Sequence, residues 1–232
     1  MAGLTARLIV ALDYAEAAPA LAMAESLGSR CDFFKIGSEL FTAAGPALVR
    51  SLIDRGADVF LDLKFHDIPS TMRGASRSAA ALGARLLTVH ATAGAAGIAA
   101  AVEGAGERCG VLAVSVLTSM DAATVGSVWG RGAIVVRSEV LRLADLAAAA
   151  GAHGLVCAGT EAADVHARHG DALRLLVPGV RLAGGANHDQ SRVVSPRQAV
   201  EAGASYLVLG RAVTEAVDPA AAFESIRQEL GT

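Results

Sequence analysis

The sequence predicts a single-domain (β/α)8 barrel spanning residues 1–232. Three observations carry that reading. Eight short aliphatic runs recur along the chain, a segment with helical spacing separates each from the next, and polar residues gather at one end of the runs. The runs are LIVALD (8–13), FFKIG (33–37), DVFLDLK (58–64), RLLTVHA (85–91), VLAVSVLT (111–118), GLVCAG (154–159), LRLLVPGV (173–180) and YLVLGR (206–211). They are apolar on both faces, as strands of a parallel sheet covered by helices are. The intervening segments are rich in Ala, Leu, Glu and Arg and run over 16–28, 46–56, 70–82, 95–106, 138–150, 160–169, 195–203 and 218–230. SPRQAVEAG (195–203) has a Ser to cap a helix, Pro in its first turn and Gly at its end. DPAAAFESI (218–226) has an Asp cap followed by Pro. Regular alternation of strand and helix leaves a doubly wound open sheet as the competing architecture. No linker or composition shift divides the chain. The longest irregular connection, SMDAATVGSVWGRGAI (119–134), reads either as a loop over a binding site or as a surface insertion.

Composition excludes several classes. The 232 residues are 53% hydrophobic, ample for one large core. A net charge of −3 without a basic block argues against nucleic-acid or membrane-surface binding. Cys31, Cys109 and Cys157 are odd in number, widely spaced and outside any CxxC pair, as suits reduced thiols in the cytoplasm. MAGLTARLIVALD is charged too early for a secretory signal, and no apolar run reaches the roughly 18 residues of a membrane helix. The cytoplasm is therefore the expected compartment.

Barrel active sites lie where the strands end, so polar residues there matter most. The strand ends carry Asp13; Lys35; Asp62 and Lys64, with Asp67 just beyond; His90; Thr118 and Ser119; Gly179 and Arg181; and Gly210 and Arg211. Asp62 and Lys64 are two apart on a strand, which sends both side chains to the barrel interior while Leu61 and Leu63 face the helices. Lys35, on the neighbouring strand, reaches the same mouth. A row of Lys35, Asp62, Lys64 and Asp67 tolerates burial because its charges alternate. An ammonium so paired serves as a general acid or stabilises a carbanion, whereas a Schiff-base nucleophile needs the neutral amine. A structural ion-pair ladder at the rim is the other reading of the row. VPGVR (177–181) and LGR (209–211) end the last two strands, where barrels often bind phosphate. Arg181 and Arg211 fit a phosphate clamp, Gly179 and Gly210 allow close backbone approach, and Gln190 offers an amide donor. Taken singly, each arginine reads as a solvated surface residue; two at adjacent strand ends, each near a glycine, point to phosphate. His166 and His169, spaced i,i+3 with no third ligand, read as surface residues.

Those motifs together resemble the orotidine 5′-monophosphate decarboxylase family in its shorter bacterial form. VALDY (10–14), FKIGSELFTAAGP (34–46), FLDLKFHDIPST (60–71), VLTSM (116–120), VPGVR (177–181), DQSRVVSP (189–196) and GASYLVLGRAVTEAVDP (203–219) match in order and spacing, nearly end to end. The resemblance implies a (β/α)8 barrel, a homodimer, orotidine 5′-monophosphate and UMP as ligands, and neither metal nor organic cofactor. Lys64 matches the lysine that protonates C6 of the pyrimidine as CO2 leaves, and Asp62 the acid beside the substrate carboxylate. Lys35 and Asp67 match the rest of the charged array. Asp67, Ile68 and Thr71 would serve the partner subunit's site. Asp13 matches a ribose ligand and Thr118 a contact near the pyrimidine. Arg181, Gln190, Gly210 and Arg211 match the phosphate grip. VHATAG, VPGVR and the 121–137 segment depart from the usual pattern; the last bears on loop closure and touches no matched catalytic position. The related magnesium-dependent sugar-phosphate decarboxylases and aldolases place a metal-binding acid where this chain has Lys35, and an ammonium cannot ligate magnesium. A silent UMP-binding barrel is the remaining alternative.

Overall fold

The structure, a computed structural model, describes residues 6–180 and 194–231. Eight parallel strands close on themselves in sequence order: β1 (Arg7–Leu12), β2 (Phe33–Gly37), β3 (Asp58–Phe65), β4 (Leu86–His90), β5 (Gly110–Val114), β6 (Gly154–Val156), β7 (Arg174–Pro178) and β8 (Ala204–Leu209). The ring is completed where β8 pairs with β1, with Ile9 opposite Val208. The open-sheet alternative is thereby excluded.

Closure explains why the strands lack an exposed face. Their outward side chains, among them Val10, Ile36, Leu61, Leu87, Ala113 and Leu207, pack under the helices in one large core. Their inward side chains form a smaller plug of Ile9, Ala11, Phe33, Phe60, Leu86, Leu112, Leu176 and Val208. The barrel is therefore solid below its mouth, and the polar groups above stand on an apolar floor.

Among the described residues the helices are α1 (Ala17–Leu27), α2 (Ser38–Ile53), α3 (Pro69–Ala81), α4 (Gly94–Ala105), α5 (Ala122–Trp129), α6 (Val136–Ala149), α7 (Gly159–His169), α8 (Pro196–Glu201), α9 (Arg211–Thr214) and α10 (Pro219–Leu230). The expected caps form: Ser195 closes a capping box with Gln198, and the Asp218 carboxylate accepts from the Ala221 amide. Two expectations need correction. α2 starts at Ser38 rather than at 46, running through a kink where Gly45 takes φ 62° ahead of Pro46. The 119–134 segment is not wholly irregular, because α5 lies within it, capped by Asp121 accepting from the Thr124 amide. The end of α5 is tied to α6 through buried Glu139, which accepts from Arg131 at 2.6 Å and Arg142 at 2.8 Å. No helix among the described residues is long and apolar enough to cross a membrane.

Candidate active site

The mouth of the barrel gathers charge on the side formed by β1 to β3. Lys35 Nζ lies 2.6 Å from Asp13 Oδ1 and 4.0 Å from Asp62 Oδ2, and Lys64 Nζ lies 2.8 Å from Asp62 Oδ1. The result is a continuous alternating row, Asp13–Lys35–Asp62–Lys64. Register places it: Ala11 pairs with Lys35, and Gly37 with Asp62. Gly37 leaves the room, since a Cβ there would stand 3.2 Å from Lys35 Nζ. Burial is deepest in the middle of the row, with side-chain exposure of 63% at Asp13, 10% at Lys35, 17% at Asp62 and 35% at Lys64. Lys35 and Asp62 are thus enclosed, while the Asp13 carboxylate and the Lys64 ammonium at the two ends are the more open groups.

Lys64 is also the sole non-glycine residue of positive φ among the described residues, at 50°. That conformation costs about 1–2 kcal/mol for an L-residue. Its origin is a bulge. The β3–β4 ladder pairs Leu61 with Leu87, then resumes only at Phe65 with Val89, so three residues of β3 face Thr88 alone. Asp62 and Lys64 do share the interior face, but through this bulge rather than through regular alternation. Thr88, which lies in the run RLLTVHA and was not singled out in the sequence, accepts from the Lys64 amide at 2.9 Å and donates to Asp62 Oδ1 at 2.9 Å. The signal for it was one hydroxyl in an otherwise aliphatic strand, two residues before His90 and so on the same face. The His90 ring packs 5.5 Å from that of His66. Burial lowers the His90 pKa, and His66 and Lys64 lower it further against the opposing pull of Asp62, so the ring is neutral at pH 7.

Asp67 does not join the row. It is exposed, and its Oδ1 accepts from the Ile68 amide at 2.6 Å. Asp13, expected only at the ribose, takes the fourth place instead. Ile68, which precedes α3, is 64% exposed, and Thr71, in the first turn of α3, is exposed. β5 ends at Val114, four residues earlier than expected, because the Ser115 hydroxyl and amide both turn to the Val156 carbonyl. Thr118 and Ser119 consequently lie in a turn beyond the strand.

On the other side of β1, Pro178 of β7 pairs with Val208 of β8, so Gly179 and Gly210 follow on neighbouring strands. Gly179 takes φ 70°, and Gly210 precedes Arg211, the exposed first residue of α9. Arg181 and Gln190 lie outside the described residues. No group of three or more His, Cys, Asp or Glu side chains is gathered as a metal site would require among the described residues.

Comparison with known proteins bears on the family to which the chain belongs. The Orotidine 5′-phosphate decarboxylase / HUMPS family model matches residues 6–226. The orotidine 5′-phosphate decarboxylase of Alkalilimnicola ehrlichii is 51% identical over 227 residues, covering 97% of this chain and 96% of that one. The orotidine 5′-phosphate decarboxylase of Anaeromyxobacter sp. (strain K) is also 51% identical, over 97% of this chain and 98% of its own length. The crystal structure of orotidine 5′-phosphate decarboxylase from Lactobacillus acidophilus superposes with a TM-score of 0.87 at 34% identity, over 98% of this chain and all of that one. With its closed barrel and with relatives matched over nearly its whole length, this chain belongs to the orotidine 5′-phosphate decarboxylase family.

Proposed function

We propose that the chain converts orotidine 5′-monophosphate to UMP and CO2 in de novo pyrimidine synthesis, with Lys64 as the proton donor. The observation that carries the reading is the row Asp13–Lys35–Asp62–Lys64, buried at its centre and ending in an ammonium at the mouth.

The bond between C6 and the carboxylate breaks heterolytically. CO2 departs, and the electron pair remains on C6. An ammonium already in place stabilises that pair electrostatically, because no water must reorganise around it as the charge develops. Lys64 Nζ then gives its proton to C6 and recovers one from solvent. The sequence is redox-neutral and balances with the substrate and one proton. Asp62, beside the departing carboxylate, raises the energy of the ground state by like-charge repulsion. Lys35 and Asp13 hold Asp62 in place, and Asp13 also serves the ribose.

The phosphate is assigned to the rim formed by the ends of β7 and β8, beside β1. Gly179, Gly210 and Arg211, with Arg181 and Gln190, bind it there, and Thr118 lies near the pyrimidine. Binding energy from that distant group positions the ring. Asp67, Ile68 and Thr71 serve the second subunit of a homodimer, a role supported by their exposure and by the absence of Asp67 from its own row. The buried Lys35 ammonium occupies a position where magnesium chemistry would need a ligating acid.

The test follows absorbance after orotidine 5′-monophosphate is added to EDTA-treated protein and to a Lys64→Ala variant. Conversion to UMP by the wild type, with a loss of about 10³-fold or more in the variant, is expected. No conversion, or conversion only after magnesium is restored, would overturn the reading in favour of the sugar-phosphate enzymes.

A further inference from the structure

We propose that Thr88 is a positioning residue for the decarboxylation, holding the Lys64 backbone and the Asp62 carboxylate through one hydroxyl; this inference rests on the reading under Proposed function.

Hydrogen-bond direction is settled by the partners. The Lys64 amide can only donate, so Thr88 Oγ1 accepts from it at 2.9 Å. The hydroxyl proton is then left for Asp62 Oδ1, 2.9 Å away, and a carboxylate can only accept. Neither bond can be exchanged for one to water at this site, because Thr88 is fully buried at 0% exposure. The bulge makes the first bond necessary. Three residues of β3 face one of β4, so the regular ladder supplies no acceptor to the Lys64 amide. A branched side chain, stiff about χ1, presents that acceptor in one place.

The second bond matters during turnover. In the structure Asp62 Oδ1 receives both Lys64 Nζ, at 2.8 Å, and the Thr88 hydroxyl. To protonate C6, Lys64 Nζ must turn from Asp62 toward the substrate. The Thr88 hydroxyl does not move with it, so Asp62 keeps its orientation while the lysine is engaged. Thr88 also fixes the backbone from which the Lys64 side chain swings. It touches neither the phosphate rim nor the reacting carbon, and its effect belongs to the chemical step.

The test compares Thr88→Val, which keeps the shape and removes the hydroxyl, with Thr88→Ser, which keeps the hydroxyl. The expected result is a fall in kcat of about 10- to 100-fold for Thr88→Val, with KM changed by less than about 3-fold. Thr88→Ser should hold kcat within about 3-fold of wild type despite losing a core methyl. Hydrogen exchange at the Lys64 amide gives a readout without turnover: protection is lost in Thr88→Val and kept in Thr88→Ser. Wild-type kcat in Thr88→Val, or equal loss in both variants, would overturn the proposal, since packing alone would then explain the site. Unchanged amide protection in Thr88→Val would do the same. Should Thr88→Val fail to fold, Thr88→Cys, whose thiol is a weak hydrogen-bonding group, replaces it with the same expected fall. A wild type without turnover would overturn the decarboxylase reading, and the amide readout would still decide whether Thr88 anchors Lys64.

Discussion

Gly104 of α4 faces the backbone of α3 so closely that a single methyl group there should be felt across the domain. An ideal Cβ at this position falls 2.2 Å from the Arg73 carbonyl oxygen, 2.9 Å from its carbon and 3.0 Å from Arg73 Cα. All three atoms are backbone, so no rotamer change relieves the clash. Ordinary carbon–oxygen contact needs about 3.3 Å, so the helices must part by about 1 Å. A gap of that size forfeits about a quarter to a half of each dispersion contact along the seam. The seam includes Met72, Ile98, Ala101 and Ala105, all buried. Overpacking of this kind costs about 3 kcal/mol at the upper end of its usual range. Ala returns up to about 1 kcal/mol of helix propensity over Gly. The net loss for Gly104→Ala is about 2 kcal/mol, a fall in Tm of about 4–8 °C for a domain of this size. Gly74→Ala, one helix away in α3, is the control. A Cβ there meets nothing within 4 Å. The same chemical change should raise Tm by about 2–4 °C. Thermal unfolding of both variants by circular dichroism is the assay. A Gly104→Ala protein as stable as wild type would refute the reasoning, because the two helices could then slide apart without loss.

Two further predictions concern titration. Burial pushes the Cys31 thiol up to about 11 and the Cys109 thiol up to about 12. Both should therefore resist iodoacetamide at pH 8 in the folded chain and react once it is unfolded, as read by mass spectrometry. Burial, followed by Arg174 and Arg85, lowers the pKa of His153, whose Nε2 sits 3.1 Å from the Tyr206 hydroxyl. The folded chain then binds fewer protons than the unfolded one, so stability is present above the ordinary imidazole value of 6.5 and is lost as pH falls through the folded value. Tm measured from pH 8 to pH 5 should fall less steeply in His153→Asn than in wild type. Equal slopes would show that His153 is protonated alike in both states.

Much of this was legible in the sequence because the barrel buries both faces of each strand. LIVAL and FFKIG read as covered parallel strands without any tertiary information. The misreadings have local causes. VLAVSVLT is mostly aliphatic as far as Leu117, yet the Ser115 hydroxyl breaks the run by bonding the Val156 carbonyl. GP at 45–46 looks like a helix start, but α2 carries through it as a kink. α5 was hidden by Gly126 within it and Gly130 just after it, although Asp121 three residues before Thr124 was a readable cap. At the mouth, Lys35, Asp62 and Lys64 were legible as charges at strand ends, although the bulge, not simple alternation, sets the Asp62–Lys64 geometry. The place of Asp13 in the row does not, because it depends on the register between β1 and β2. Thr88 depends on a bulge that exists only once β3 and β4 are paired.

That bulge bears on attempts to move this chemistry elsewhere. An Asp-x-Lys pair written onto a regular barrel strand would send both side chains inward and still set the ammonium off a differently turned backbone. The transferable unit is therefore larger than its charged residues: it comprises the two surplus positions of β3, the left-handed lysine and a hydroxyl on the adjacent strand. A graft carrying the charges alone would reproduce the motif in one dimension and lose it in three.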